Sequence, residues 1–263
     1  MFLFPMQKIL YKSFILLMIT LNTIACDKSQ KPMIIGHRGA KGHIAENTLP
    51  SISKALELGV DGIEIDVFLC RSGELVVFHD KTLERLTDGQ GYIETLELDS
   101  IKKLKVKGQY KIPTLAEVLD LVNGKVLLNI ELKGSGTARP THEILTQYTA
   151  QNKGIKIPYI ISSFNWEELR IFYELNKNIP IAVLTDADPL DALPTAHAVD
   201  AEAINPNFKA LNKKNVRKIH DAGYKIYPYT INETADIQKM LQLKVDAIIT
   251  DFPDRVTSVI SAR

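Results

Sequence analysis

Four short stretches of the sequence carry side chains suited to chemistry in pairs. His37 and Arg38 follow the apolar run "MIIG"; Glu64 and Asp66 alternate with Ile63, Ile65 and Val67; His79 and Asp80 follow "LVVF"; Glu131 and Lys133 alternate with Ile130 and Leu132. Residues two apart on a strand share a face. Glu64 and Asp66 therefore point one way and their apolar neighbours the other, and the same holds for Glu131 and Lys133. Three carboxylates gathered among apolar strands repel one another and are costly to desolvate. A divalent cation resolves that conflict, and carboxylate oxygens suit Mg²⁺ or Ca²⁺. Of six histidines, His37 and His79 alone fall at the ends of strand-like runs, where they supply an acid and a base near neutral pH. The planar donor fork of Arg38 and the ammonium of Lys133 complete a receptor for a phosphate oxyanion. The plain alternative is that "EID" is a surface-facing alternation; its apolar flanks read instead as a central strand.

Positioning these groups together requires a particular fold. From Met33 onward, nine strand-like runs alternate with amphipathic segments: "MIIG", "GIEIDVFL", "ELVVFH", "KVLLNIEL", "YIISS", "PIAVLT", "AEAIN", "KIYPYT" and "DAIIT". "TLAEVLDLVNG" has Thr114 as a helix cap, Glu117 three residues on and Gly124 as a stop. Strand–helix alternation implies parallel strands with crossover helices. "CRSG" is too short for a crossover, so the second and third runs form a hairpin, leaving eight parallel strands. The expected fold is an α/β (β/α)₈ TIM barrel over residues 33–263, with residues 82–112 as an insertion over the barrel mouth that lacks a core of its own. A doubly wound open sheet ranks lower because its glycine-rich phosphate loop is absent. In such a barrel the C-terminal strand ends form one rim, where active sites lie. That rim also carries Ser162, Phe164, Asn205, Tyr229 and Asp251. Asp251, just before Phe252 and Pro253, reads as a turn residue.

The length of 263 residues suits a single barrel of about 250. A net charge of +1 gives no basic field for nucleic acid. At the N-terminus, Lys8 and Lys12 precede the apolar stretch Ser13–Ala25, followed by Cys26. Those thirteen residues are fewer than the roughly 20 that a spanning helix needs. They read as an export signal over residues 1–25, with Cys26 as the lipidation site and 26–32 as a short tether. Thr23 stands where such lipoprotein signals usually carry leucine. The expectation is a periplasmic or cell-envelope protein that meets the membrane only through its lipid anchor. Cys70 is then left without a partner, and stability must come from the core.

Taken in order, "GHRG" with "ENT" (36–48), "GVDGIEIDV" (59–67), "VVFHD" (76–80), "LERLTDGQG" (83–91), "IPTLAEVL" (112–119), "NIELK" (129–133), "SSF" (162–164) and "DAIITDFP" (246–253) make the chain resemble the glycerophosphodiester phosphodiesterases from Met33 to about Val256. The resemblance implies a (β/α)₈ barrel with an insertion after the second histidine. It also implies hydrolysis of a small glycerophosphodiester to glycerol 3-phosphate and an alcohol. It assigns His37 and His79 as the acid–base pair and Glu64, Asp66 and Glu131 as ligands of one divalent cation, Ca²⁺ or Mg²⁺. Arg38 and Lys133 become phosphate ligands, Phe164 and Tyr229 substrate contacts, and Glu46 and Asn47 supporting residues, with helix capping as the plain alternative for Glu46. The family often carries tryptophan in a "WTVN" segment where this chain has "YTIN". Tyr229 keeps the aromatic wall and adds a hydroxyl, which bears on substrate preference and leaves the chemistry alone.

Rival readings differ in their residues. Phosphatidylinositol-cleaving phospholipases C have a similar barrel and a histidine pair, but many bacterial examples work without a metal, so the carboxylate set of Glu64, Asp66 and Glu131 argues against that reading. A lysophospholipase D would be told apart by long-chain substrates. An amidohydrolase barrel would carry His-x-His on the first strand. A non-catalytic binding protein would be expected to have lost one of the seven core site residues, and all are present.

Overall fold

A computed structural model describes residues 31–152 and 158–262 of the protein. Nine strands form one sheet: β1 (Met33–His37), β2 (Gly62–Leu69), β3 (Leu75–Val77), β4 (Leu127–Leu132), β5 (Tyr159–Ser163), β6 (Ile181–Thr185), β7 (Ala203–Pro206), β8 (Lys225–Ile226) and β9 (Ala247–Thr250). Eight are parallel, in the spatial order β8-β7-β6-β5-β4-β2-β1-β9, and β3 pairs antiparallel with β2 alone. Backbone hydrogen bonds from Asp246 N to Ile226 O (3.0 Å) and from Ile249 N to Pro228 O (3.1 Å) bring β9 onto the β8 segment and close the ring. The result is the (β/α)₈ barrel, with β2–β3 as the extra hairpin. Among the described residues no helix is long and apolar enough to cross a membrane. Cys26 and the segment 1–25 lie outside the described residues.

The helices form where local chemistry ends and starts them. Thr114 and Glu117 make a reciprocal capping box at the start of helix Leu115–Val122, and Asn123 closes it in the left-handed conformation (φ 45°). Thr48 caps helix Leu49–Glu57 by accepting from Ser51 N, with Pro50 in the first turn. Ile63, Ile65, Val67, Leu128, Ile130 and Leu132 are fully or almost fully buried outside the barrel, against these helices. Inside it, Ile35, Ile160, Ala182, Ala203, Tyr227, Ala247 and Ile249 pack into an apolar floor. The alternation read from "EID" and "IEL" is thus realised: apolar side chains face the helices, and polar ones stand above the floor.

One expectation is corrected. The insertion has a core of its own, in which Leu83, Leu86, Ile93, Ile101, Val106 and Ile112 pack on Phe68, Cys70, Val76 and Phe78 of the hairpin. The β2–β3 hairpin supplies an apolar outer surface that would otherwise be wet, and the insertion buries it. Leu83 is fully buried, so Leu83→Ala is expected to cost about 2–5 kcal/mol in urea unfolding. A coreless excursion would lose about 0.5 kcal/mol or less.

Candidate active site

The first strand ends in a tight loop. A Cβ at Gly36 would meet Gly39 O at 2.5 Å, so only glycine fits before the histidine. Arg38 (φ 53°) and Asn47 (φ 57°) both adopt the left-handed conformation. Asn47 N donates to Arg38 O (3.0 Å), fastening the two ends of the loop together. The register of β1 on β2 sets His37 beside Glu64, and that of β2 on β4 sets Asp66 beside Glu131.

Glu64, Asp66 and Glu131 each offer an oxygen within 4.8 Å of the others, and all three are buried. Oxygens Glu64 Oε1 and Asp66 Oδ1 are buried and accept no hydrogen bond. Burial, then Asp66 and Glu131, drive the Glu64 carboxyl well above its ordinary range. Burial and Asp66 push Glu131 up to about 7. Asp66 goes the other way: burial opposes its charge, but Arg38, His79 and Lys133 prevail and hold it ionised. Asn47 Nδ2 also donates to Asp66 Oδ2 (2.8 Å). Orphaned buried oxygens, all from carboxylates, are the donor set of a hard divalent cation, and the residues fit one.

Both histidines are oriented through Nδ1. His37 Nδ1 donates to Asp251 Oδ1 (2.6 Å), and Asp251 is held in turn by Asn232 Nδ2 (2.8 Å). His79 Nδ1 donates to Asp80 Oδ1 (2.5 Å), and Asp80 is clasped by the Arg85 guanidinium. In each ring Nε2 is the nitrogen turned to the cavity, where a proton can be exchanged. His37 Nε2 lies 4.0 Å from Glu64 Oε2, and His79 Nε2 accepts from Lys133 Nζ (3.3 Å). Burial holds both rings below the ordinary histidine range, with Asp251 opposing for His37 and Asp66 for His79. Burial thus favours the neutral ring in both, and the paired carboxylates favour the charged one.

Glu46 serves the site, and the capping alternative falls to Thr48. It accepts from Arg38 Nη1 (2.6 Å) and Arg85 Nη2 (2.8 Å). Burial raises its pKa, yet Arg85 and Arg38 bring it down to about 2. Arg38 Nε also lies 3.2 Å from Asp66 Oδ2, so its fork is braced by carboxylates on two sides. Lys133 Nζ lies 2.9 Å from Glu131 Oε1. Phe164 and Tyr229 meet edge to face, with centroids 5.8 Å apart. His37, Arg38, Glu64, His79, Glu131, Lys133, Phe164 and Tyr229 line one cavity of about 500 Å³ at the rim, while Asp66 and Asn47 lie beneath it.

Asp251 corrects the sequence reading: it is the partner that orients His37. The register of β9 on β1, which pairs Gly36 with Thr250, was the available signal, because it sets the two strand ends side by side. Arg85 and Asn232 were also missed; neither lies at a strand end. Asn205 is buried in the barrel and does not line the cavity, whereas Ser162 does and donates to Asn129 Oδ1 (2.8 Å).

A closed (β/α)₈ barrel with an acidic trio between two carboxylate-oriented histidines, and basic groups for an oxyanion, defines the class of barrel phosphodiester hydrolases. The model of the glycerophosphoryl diester phosphodiesterase family matches residues 37–255, and the chain belongs to that family. It is 33% identical over 239 residues to the glycerophosphodiester phosphodiesterase of Caldanaerobacter subterraneus subsp. tengcongensis, covering 88% of this chain and 98% of that one. It is 35% identical over 241 residues to the glycerophosphodiester phosphodiesterase of Bacillus altitudinis, covering 86% and 97%. An Oleispira antarctica phosphodiesterase, solved in complex with the product sn-glycerol-3-phosphate, superposes with a TM-score of 0.81 at 32% identity over 88% of this chain and 97% of that one. The protein is a phosphoric diester hydrolase of this kind.

The carboxyl pKa values set a pH dependence for cation binding. Glu131 must lose a proton held up to about 7, against an ordinary 4.5, before all three carboxylates can bind a cation. The rise in melting temperature on adding Ca²⁺ or Mg²⁺ is therefore expected to be small near about pH 5 and to grow as the pH passes through about 7, where Glu131 ionises, with Glu64 also raised and adding to the dependence. A pH-independent rise, measured by differential scanning fluorimetry, would contradict this assignment.

Proposed function

We propose that the protein hydrolyses small glycerophosphodiesters to glycerol 3-phosphate and an alcohol, with Glu64, Asp66 and Glu131 holding one divalent cation and His37 and His79 moving the protons. The observation that carries this reading is the buried carboxylate trio with unsatisfied oxygens, flanked by two histidines that each spend Nδ1 on a carboxylate. A bound cation supplies a Lewis acid for a phosphoryl oxygen. The chain's own groups do the rest. Arg38 and Lys133 bind the phosphate, and Glu46 and Asn47 fix the loop that carries Arg38. Nε2 atoms at His37 and His79 divide the proton work: one, unprotonated, takes the proton of the attacking hydroxyl, and the other, on a ring that enters the reaction as imidazolium beside its carboxylate, gives its Nε2 proton to the leaving alkoxide. Overall, the P–O bond to the alcohol breaks and a P–O bond to the oxygen of water forms. The product seen in the Oleispira antarctica structure supports glycerol 3-phosphate as the retained half. The acidic trio favours this reaction over a metal-free phosphatidylinositol cleavage.

The test is glycerol 3-phosphate release from glycerophosphocholine with Ca²⁺, with Mg²⁺ and with EDTA. Release is expected with a cation and absent with EDTA. His37→Ala is expected to lose roughly 10²- to 10⁴-fold in kcat, and Asp251→Asn roughly 10- to 100-fold, because it removes only the orienting partner. Release that survives EDTA would overturn the metal assignment.

The N-terminal sequence supports an exported enzyme anchored through a lipid on Cys26, in the periplasm or cell envelope. Cys26→Ser is expected to move the protein from the membrane fraction to the soluble one. An unchanged distribution would remove the anchor from the proposal.

A further inference from the structure

The cavity is divided by charge. Toward β1, β2 and β4 it is lined by Arg38, Lys41, Lys133, two histidines and buried carboxylates; toward β5, β6 and the segment after β8 it is lined by Phe164, Leu184, Asp186 and Tyr229. Asp186 is the charged group of that second wall, and it differs from the other acids at the rim. Asp80 is tied to His79 and Arg85, Asp251 to His37, and Glu46 to Arg38 and Arg85. Among the described residues Asp186 accepts from neutral donors, the Tyr229 hydroxyl (2.8 Å) and Asn207 Nδ2 (3.3 Å). It is exposed, and among the described residues its carboxylate forms no ion pair.

Its neighbours are aromatic. Tyr229 stands edge-on to Phe164, with rings at 88°, and Phe164 is 40% exposed. The Phe164 ring already carries a cation, with Lys133 Nζ 5.7 Å from the centroid. A carboxylate beside ring surfaces suits an alkylated ammonium, which needs charge and apolar contact and has few or no N–H groups to satisfy. A phosphodiester held by Arg38 and Lys133 has two arms, and the wall holding Asp186 offers one of them a negative charge.

We infer that Asp186, Tyr229 and Phe164 form a subsite for a cationic alcohol moiety of the substrate, a quaternary ammonium such as choline. The inference rests on the phosphodiesterase reading above. It gives the Tyr229 hydroxyl a role: a donor that pins the Asp186 carboxylate at the cavity wall.

The test compares kcat/KM for glycerophosphocholine with that for its uncharged isostere, the 3,3-dimethylbutyl ester, on the metal-loaded enzyme. The wild type is expected to favour the choline ester about tenfold, equivalent to about 1.4 kcal/mol. Asp186→Asn is expected to bring that ratio to about one, and Tyr229→Phe to an intermediate value. A wild-type ratio near one overturns the subsite. So does a ratio that Asp186→Asn leaves unchanged, which would assign the carboxylate to the glycerol hydroxyls or to structure alone. Failure to turn over either ester would overturn the phosphodiesterase reading instead. Calorimetric titration of the two esters into the wild type then tests the subsite alone, where a tenfold difference in Kd supports it and equal values overturn it.

Discussion

Three carboxylates crowded inside a barrel are the constraint on which this site depends. Desolvation and mutual repulsion drive the protons of Glu64 and Glu131 upward, and left alone would do the same to Asp66. The surrounding structure offsets this. Arg38 comes off a left-handed turn into the gap between Asp66 and Glu46, Lys133 rises from the same strand face as Glu131, and Asn47 folds back to donate to Asp66. The cradle leaves unsatisfied oxygens in the middle, which is the arrangement expected where a cation completes the balance. The loop "GHRGAKGHIAENT" is therefore as much a part of the electrostatics as a part of the chain path.

The histidines sit on either side of that centre with the same device used twice. Each gives Nδ1 to a carboxylate, and each carboxylate has a further donor behind it, Asn232 behind Asp251 and Arg85 behind Asp80. The supports differ in strength. A neutral amide steadies one dyad, and a guanidinium shared with Glu46 steadies the other. The dyad at His79 is thus bound into the same ionic network as Arg38, whereas the His37 dyad stands on the last strand of the barrel.

Much of this was legible in the sequence. Period-two runs in "GIEIDVFL" and "KVLLNIEL" fixed which side chains face inward, because apolar residues on alternate positions had helices to bury against. Seven of the nine strands fall within the runs read from the chain, and β1 and β7 each extend one residue past theirs. What escaped had no period. Leu83, Leu86, Ile93, Ile101, Val106 and Ile112 build the insertion core from turns and short helices, where neither a two- nor a three-to-four-residue spacing holds. Asp251 before Phe-Pro carries the marks of a turn, and only the adjacency of the first and last strands reveals its partner. Arg85 works through long side-chain reach across 39 positions to Glu46, which local pattern does not record.

The insertion's place in the charge network has a consequence for how the enzyme can be altered. Its outer surface is free to change in length and composition, as loops on a packed base are. Its root is not, because Arg85 clamps Asp80 and Glu46 at once. A segment exchanged from another barrel would need to present an equivalent guanidinium at that one point. Without it, the graft would fold onto the hairpin and still leave both the His79–Asp80 pair and Arg38 unbraced. The insertion is a module in its packing and an integral component in its electrostatics.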